Sequence, residues 1–124
     1  MQEWNQAVDS LLTQVEDWIT KVPKWNITRL PAEEREEEIG TYLVPVLVIT
    51  TPHGELTLEP LPRRSPSDKI RVYFQAWSTL NRVRLVYEPG QDSWEIMTSS
   101  NVPLRQTWTR ENFVRLAKDL LDTP

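Results

Sequence analysis

The run Ile70-Arg71-Val72-Tyr73-Phe74-Gln75-Ala76-Trp77, followed after a short turn by Arg82-Val83-Arg84-Leu85-Val86-Tyr87, decides the fold. Both halves alternate apolar with polar or amphipathic side chains at a period of two, which is the pattern of strands with one face on a core. Setting Trp77 opposite Arg82 across Ser78 to Asn81 places Phe74 opposite Leu85, Val72 opposite Tyr87 and Ala76 opposite Val83 on one face. The next turn, Pro89-Gly90-Gln91-Asp92, sets Glu88 opposite Ser93, which puts Tyr87 opposite Trp94 and Leu85 opposite Ile96 on that same face. A one-residue slip turns every side chain of a strand to the wrong side, so the agreement of two turns supports an antiparallel meander with a defined inner face.

Upstream, Tyr42 to Thr51 and Glu55 to Leu61 flank His53-Gly54 as a further hairpin. With Lys69 to Trp77, Arg82 to Glu88 and Ser93 to Ser99, the expected strand count is five. The first strand differs from the others, because Tyr42-Leu43-Val44-Pro45-Val46-Leu47-Val48-Ile49 is apolar at both parities. That is the pattern of a strand covered on both sides. The cover for its outer side is either the 24–40 segment packing back through Trp25, Ile27 and Leu30, or a second subunit.

Helical periodicity brackets the strands. Trp4, Ala7, Val8, Leu11, Leu12, Val15, Trp18, Ile19 and Val22 recur at spacings of three and four, and Pro23 is the expected stop. At the other end Thr109 is a natural N-cap, Trp108 and Phe113 have the spacing of a hydrophobic staple, and Phe113, Val114, Leu116, Ala117, Leu120 and Leu121 make the apolar stripe. Between Lys24 and Gly40 the pattern breaks down. Pro31 followed by Ala32-Glu33-Glu34-Arg35-Glu36-Glu37-Glu38 reads as a short solvated helix or an acidic loop, and Leu61 to Asp68 as a flexible connection. The expectation is a single α+β domain over residues 1–124: a two-layer arrangement in which a five-stranded antiparallel meander carries the N-terminal and C-terminal helices on one face.

Composition narrows the chemistry. The 124 residues include no Cys, one His and three Gly, against six Trp and ten Pro. Proton transfer, nucleophilic attack and metal binding draw mainly on His or Cys, and phosphate cradles on clustered Gly, so few catalytic routes are open. His53, at a hairpin tip, reads as a turn residue. The glutamates of 33–38 lack the Asp-Gly loop of a calcium site. No catalytic residue, cofactor-binding residue or metal ligand is assigned, and no cofactor is expected.

The formal net charge of −4 hides an asymmetry: residues 1–60 hold eleven acids and four bases, and residues 61–88 hold six bases and two acids. One basic stretch in an acidic chain argues against nonspecific nucleic-acid binding, which needs a broad positive field. No apolar run approaches a membrane span, and the absence of cysteine and of a signal pattern points to the cytoplasm.

The expected outer face displays Arg71, Tyr73, Gln75 and Trp77, then Arg82, Arg84, Val86 and Glu88, then Glu95 and Met97. Arg, Tyr, Trp and Met are enriched where proteins meet partners. Part of this is explained by neutralisation of Arg71 by a facing Glu88 and by packing of Arg82 on Trp77. Arg71, Tyr73, Trp77, Arg82, Arg84, Val86 and Met97 are therefore the candidate partner-binding residues. The function expected is that of a non-enzymatic protein-binding adaptor or chaperone-like protein, acting on a protein partner or on a second copy as a homodimer. The alternative is a small-molecule-binding protein or carboxylate-based hydrolase with a pocket between helices and sheet, lined by tryptophans.

Overall fold

The apolar stripe of the first segment becomes helix α1 (Gln2–Ile19), which buries Val8, Leu11, Leu12, Val15 and Ile19. It stops earlier than Pro23. The Lys21 and Val22 N–H groups bond the Trp18 and Ile19 carbonyls in a tightened last turn, and Lys24 then adopts a left-handed φ of 69° that carries the chain into the sheet. These coordinates come from a computed structural model that describes residues 2–36, 40–61, 69–88, 94–97 and 105–122.

Seven strands follow: β1 (Asn26–Glu36), β2 (Gly40–Thr51), β3 (Gly54–Pro60), β4 (Ile70–Ala76), β5 (Arg82–Tyr87), β6 (Glu95–Met97) and β7 (Arg105–Thr107), before helix α2 (Arg110–Asp122). They form one antiparallel sheet whose spatial order repeats the chain order. Among the described residues, the expected count of five is thus corrected to seven. The larger omission is β1, where a short helix or loop was expected. Its residues have little intrinsic strand preference, but β2 has a full row of backbone donors and acceptors to satisfy, and β1 pairs with it at eleven positions from Asn26↔Thr50 to Glu36↔Gly40. Pro31 is tolerated because β1 is an edge strand, where a missing N–H costs no ladder bond on the open side.

The meander survives with one altered register. β4 and β5 pair Phe74 with Val83, Val72 with Leu85 and Ile70 with Tyr87, two residues away from the expected pairing. The turn is displaced by one residue: Ala76 N–H closes it onto the Asn81 carbonyl, so it spans Trp77 to Leu80 in place of Ser78 to Asn81, and Leu80 takes a positive φ of 63° inside it. An even slip preserves the faces, so Ile70, Val72, Phe74, Ala76, Val83 and Leu85 are all buried. Across β5 and β6, Leu85 faces Ile96 as expected, and the Tyr87 and Trp94 rings lie 5.4 Å apart. The turn at 89–92 and the connection at 62–68 lie outside the described residues.

Thr109 caps α2, its Oγ1 accepting the Asn112 N–H at 3.1 Å, and Trp108 meets Phe113 with ring centroids 5.4 Å apart. Phe113 also touches Trp18, Trp25 and Phe74, so one aromatic cluster joins α1, α2 and β4. The Trp108 indole N–H is buried there without a hydrogen-bond partner. On the opposite flank of α1, Arg29 of β1 ion-pairs with Asp9 at 2.8 Å and with Glu16. Partial burial works against the guanidinium charge, but the hydrogen bonds to Asp9 and Glu16 outweigh it and hold its pKa above the ordinary value.

β2 explains its own two-sided apolarity. Leu47 and Ile49 are buried, as odd positions facing the helices should be, yet beyond Pro45 it is Val44 that is buried, at 2% exposure, while Leu43 is 67% exposed. The ladder to β1 runs through this stretch without a bulge, and burial passes from odd to even positions within it. Pro31 faces Pro45 at the crossover.

Candidate functional site

The outer face is built from residues that alternate with the core positions of the same strands. One cross-strand row runs Thr28, Val48, Thr57, Gln75, Arg82, and the next runs Glu59, Tyr73, Arg84, Met97. A third runs Arg71, Val86, Glu95. All seven expected binding residues therefore share this face. Tyr73, Val86 and Met97 are half-buried together with Arg71, while Arg82 and Arg84 are exposed.

Two expected contacts are corrected by the register. Arg71 lies opposite Val86, which removes the facing Glu88, and Arg82 stacks on Tyr73, its guanidinium carbon 4.3 Å from the ring centroid, in place of Trp77. Tyr73 is the diagonal neighbour of Arg82 once Arg82 faces Gln75, which brings a long side chain within reach of the ring. Trp77 instead turns toward β3: its backbone N–H bonds the Glu55 carbonyl and its indole Nε1 donates to Thr57 Oγ1 at 3.0 Å. The ring remains 50% exposed.

Of the 24–40 segment, residues 26–36 do not lie over the outer side of β2. It runs beside β2 as β1, with Trp25 and Ile27 packed against the core and Leu30 48% exposed. Val46 and Val48 consequently stay half-buried and extend the amphipathic surface of β4 and β5 toward the sheet edge. Apolarity at both parities points to these two valines, but Val44 is buried, so only part of that signal is a surface signal.

A second feature was missed. Where the chain leaves α1, the Pro52-His53 turn and the end of α2 meet, Val22, Trp25, Leu121, His53, Lys118, Asp119 and Asp122 line an open cleft of about 700 Å³. This differs from the expected pocket between helices and sheet, being placed at the helix ends and lined by one tryptophan. Its walls are fixed from below: Gly54 has φ of 142°, and a Cβ there would lie 3.0 Å from Ser78 Oγ and 3.1 Å from Leu121 Cδ2. Thr79 Oγ1 and Asn81 Nδ2 both donate to the Leu120 carbonyl, tying the end of α2 to the β4–β5 turn. His53 is exposed, its N–H bonded to Thr51 Oγ1. Among the described residues no three His, Asp or Glu side chains gather as a metal-holding group, and no helix is long and apolar enough to cross a membrane.

No family model, curated protein or solved structure matches this chain.

Proposed function

We propose that this protein is a non-enzymatic protein-binding module, adaptor or chaperone-like in action, that receives its partner on the outer face of the sheet. The observation that carries the reading is the part-exposed set Val46, Val48, Tyr73, Trp77, Val86 and Met97 on one face of β2 to β6, interleaved with Arg71, Arg82 and Arg84 and, on β3, with Thr57 and Glu59. Aromatic, Met and Arg side chains of this kind supply apolar contact and a polar rim together. In this two-layer reading the helices cover the inner side, as the Phe74–Phe113 and Trp18–Phe113 contacts suggest, and leave the outer side to work. A cytoplasmic setting suits a chain without cysteine. The second reading is a small-molecule site in the cleft beside Trp25, favoured by its volume.

Affinity capture with immobilised protein separates the two. A polypeptide retained by the wild type and by Lys118→Glu but lost with Tyr73→Glu, when all three melt alike, is the expected result. Ligands lost with Lys118→Glu or Trp25→Ala and indifferent to Tyr73→Glu would assign function to the cleft.

A further inference from the structure

Among the described residues, the sheet carries two kinds of arginine side chain. Arg29 is engaged within the fold, paired with Asp9 at 2.8 Å and with Glu16. Arg71, Arg82 and Arg84 have no carboxylate partner among the described residues, although Glu59 and Glu95 share their face of the sheet. They are also close together: Arg84 stands two residues from Arg82 on β5, and Arg71 on β4 is diagonal to Arg84. Like charges at such positions repel one another, and nothing described in the fold offsets that repulsion.

The group is arranged as an anion receptor would be. The guanidinium carbon of Arg82 lies 4.3 Å from the centroid of the Tyr73 ring. A guanidinium that packs on a ring through its flat face keeps its in-plane N–H donors for a carboxylate. Arg82 and Arg84, both exposed, are about 6.6 Å apart along the strand at roughly 3.3 Å per residue, which is the spacing of alternate side chains in any extended chain. Apolar contact is at hand beside them, from the half-exposed Trp77 beyond Gln75 and from Met97 directly across from Arg84.

We infer that the partner segment received on this face is acidic: an extended polypeptide whose alternate carboxylates pair with Arg82 and Arg84, with Arg71 adding a third positive charge from β4. This rests on the reading of the outer face as a protein-docking surface and names the chemistry of its occupant. A nucleic-acid strand is the other common polyanion. Three arginines flanked by Glu59 and Glu95, on a chain of net charge −4, offer too short a positive run for a phosphate backbone.

Fluorescence anisotropy tests it with three labelled probes: a peptide of about ten residues, the upper length of an ordinary strand, in which Glu alternates with Ser and Leu; its counterpart with Lys for Glu; and a thymidine oligonucleotide of equal length. The wild type is expected to bind the Glu peptide about tenfold or more tightly than the Lys peptide, and to lose about tenfold in affinity between ~0.1 M and ~0.5 M salt. Arg82→Glu with Arg84→Glu should reverse the preference to the Lys peptide, a gain that a loss of folding could not produce. Equal affinity of the wild type for the two peptides overturns the inference, as does a preference that survives the double reversal. Tighter binding of the oligonucleotide than of the Glu peptide, lost in the same variant, also overturns it and gives the face to nucleic acid. If the Glu peptide fails while Tyr73→Glu still abolishes capture of a polypeptide, the docking face stands and only the charge of its occupant is wrong.

Discussion

β4 and β2 are central strands of the same sheet, and they obey different rules. β4 alternates buried and half-buried positions without exception, and both its neighbours pair along most of its length. β2 is flanked on two sides only from Leu47 onward, and its buried positions pass from odd to even between Leu47 and Val44. A period of two describes a strand that neighbours hold nearly flat. Where β2 loses its second neighbour, burial departs from that alternation although the ladder to β1 continues, so a sequence apolar at both parities need not be covered on both faces along its whole length.

The sharpest way to test this contrast is at the centre of the regular half. Phe113 touches four other rings, and Phe113→Ala should lower stability by about 3–5 kcal/mol in a denaturant melt. A loss below about 1 kcal/mol would mean the ring cluster is not the centre of the core. In β2 beyond its pairing with β3, Val44→Ala should cost about 1.6 kcal/mol, the loss of two buried carbon groups, whereas Leu43→Ala should stay within about 0.5 kcal/mol. The opposite ranking would return the buried side to odd positions and extend the alternation of β4 along the whole of β2. Thr109→Ala removes the bond to the Asn112 N–H and should cost about 1 kcal/mol, again by denaturant midpoint. An unchanged midpoint would leave the start of α2 defined by the Trp108–Phe113 contact alone.

What could be read from residues alone was whatever local chemistry determines. The stripe of α1, the Thr109 cap, the Trp108–Phe113 staple and the inner faces of β4, β5 and β6 each rest on spacings within one element or across one tight turn. The β4–β5 register differs by two because the turn sits one residue earlier, at Trp77 to Leu80, and its residues carry no strong type signal to fix its place. β1 was missed because its identity as a strand lies in β2: Ala32-Glu33-Glu34-Arg35 has helical or loop character until an apolar partner presents an open edge. The seven candidate binding residues fell on one face because parity survives an even slip. Their individual partners did not survive it, as Arg82 and Tyr73 demonstrate. The cleft at His53 depends on three chain segments converging, and no spacing within any one of them announces it.

Strand order that repeats chain order has a kinetic meaning. Each ladder grows from the one before it by a local return of the chain, so the entropy of loop closure is paid in small instalments and the sheet belongs to the faster-forming kind. The helices are the exception. Trp18, near the end of α1, finds its ring partners in Trp108 and Phe113, beyond the last strand. The ring contacts of the first helix thus close only once the C-terminal end of the chain is in place, whereas its ion pairs to Arg29 need only the strand that follows it.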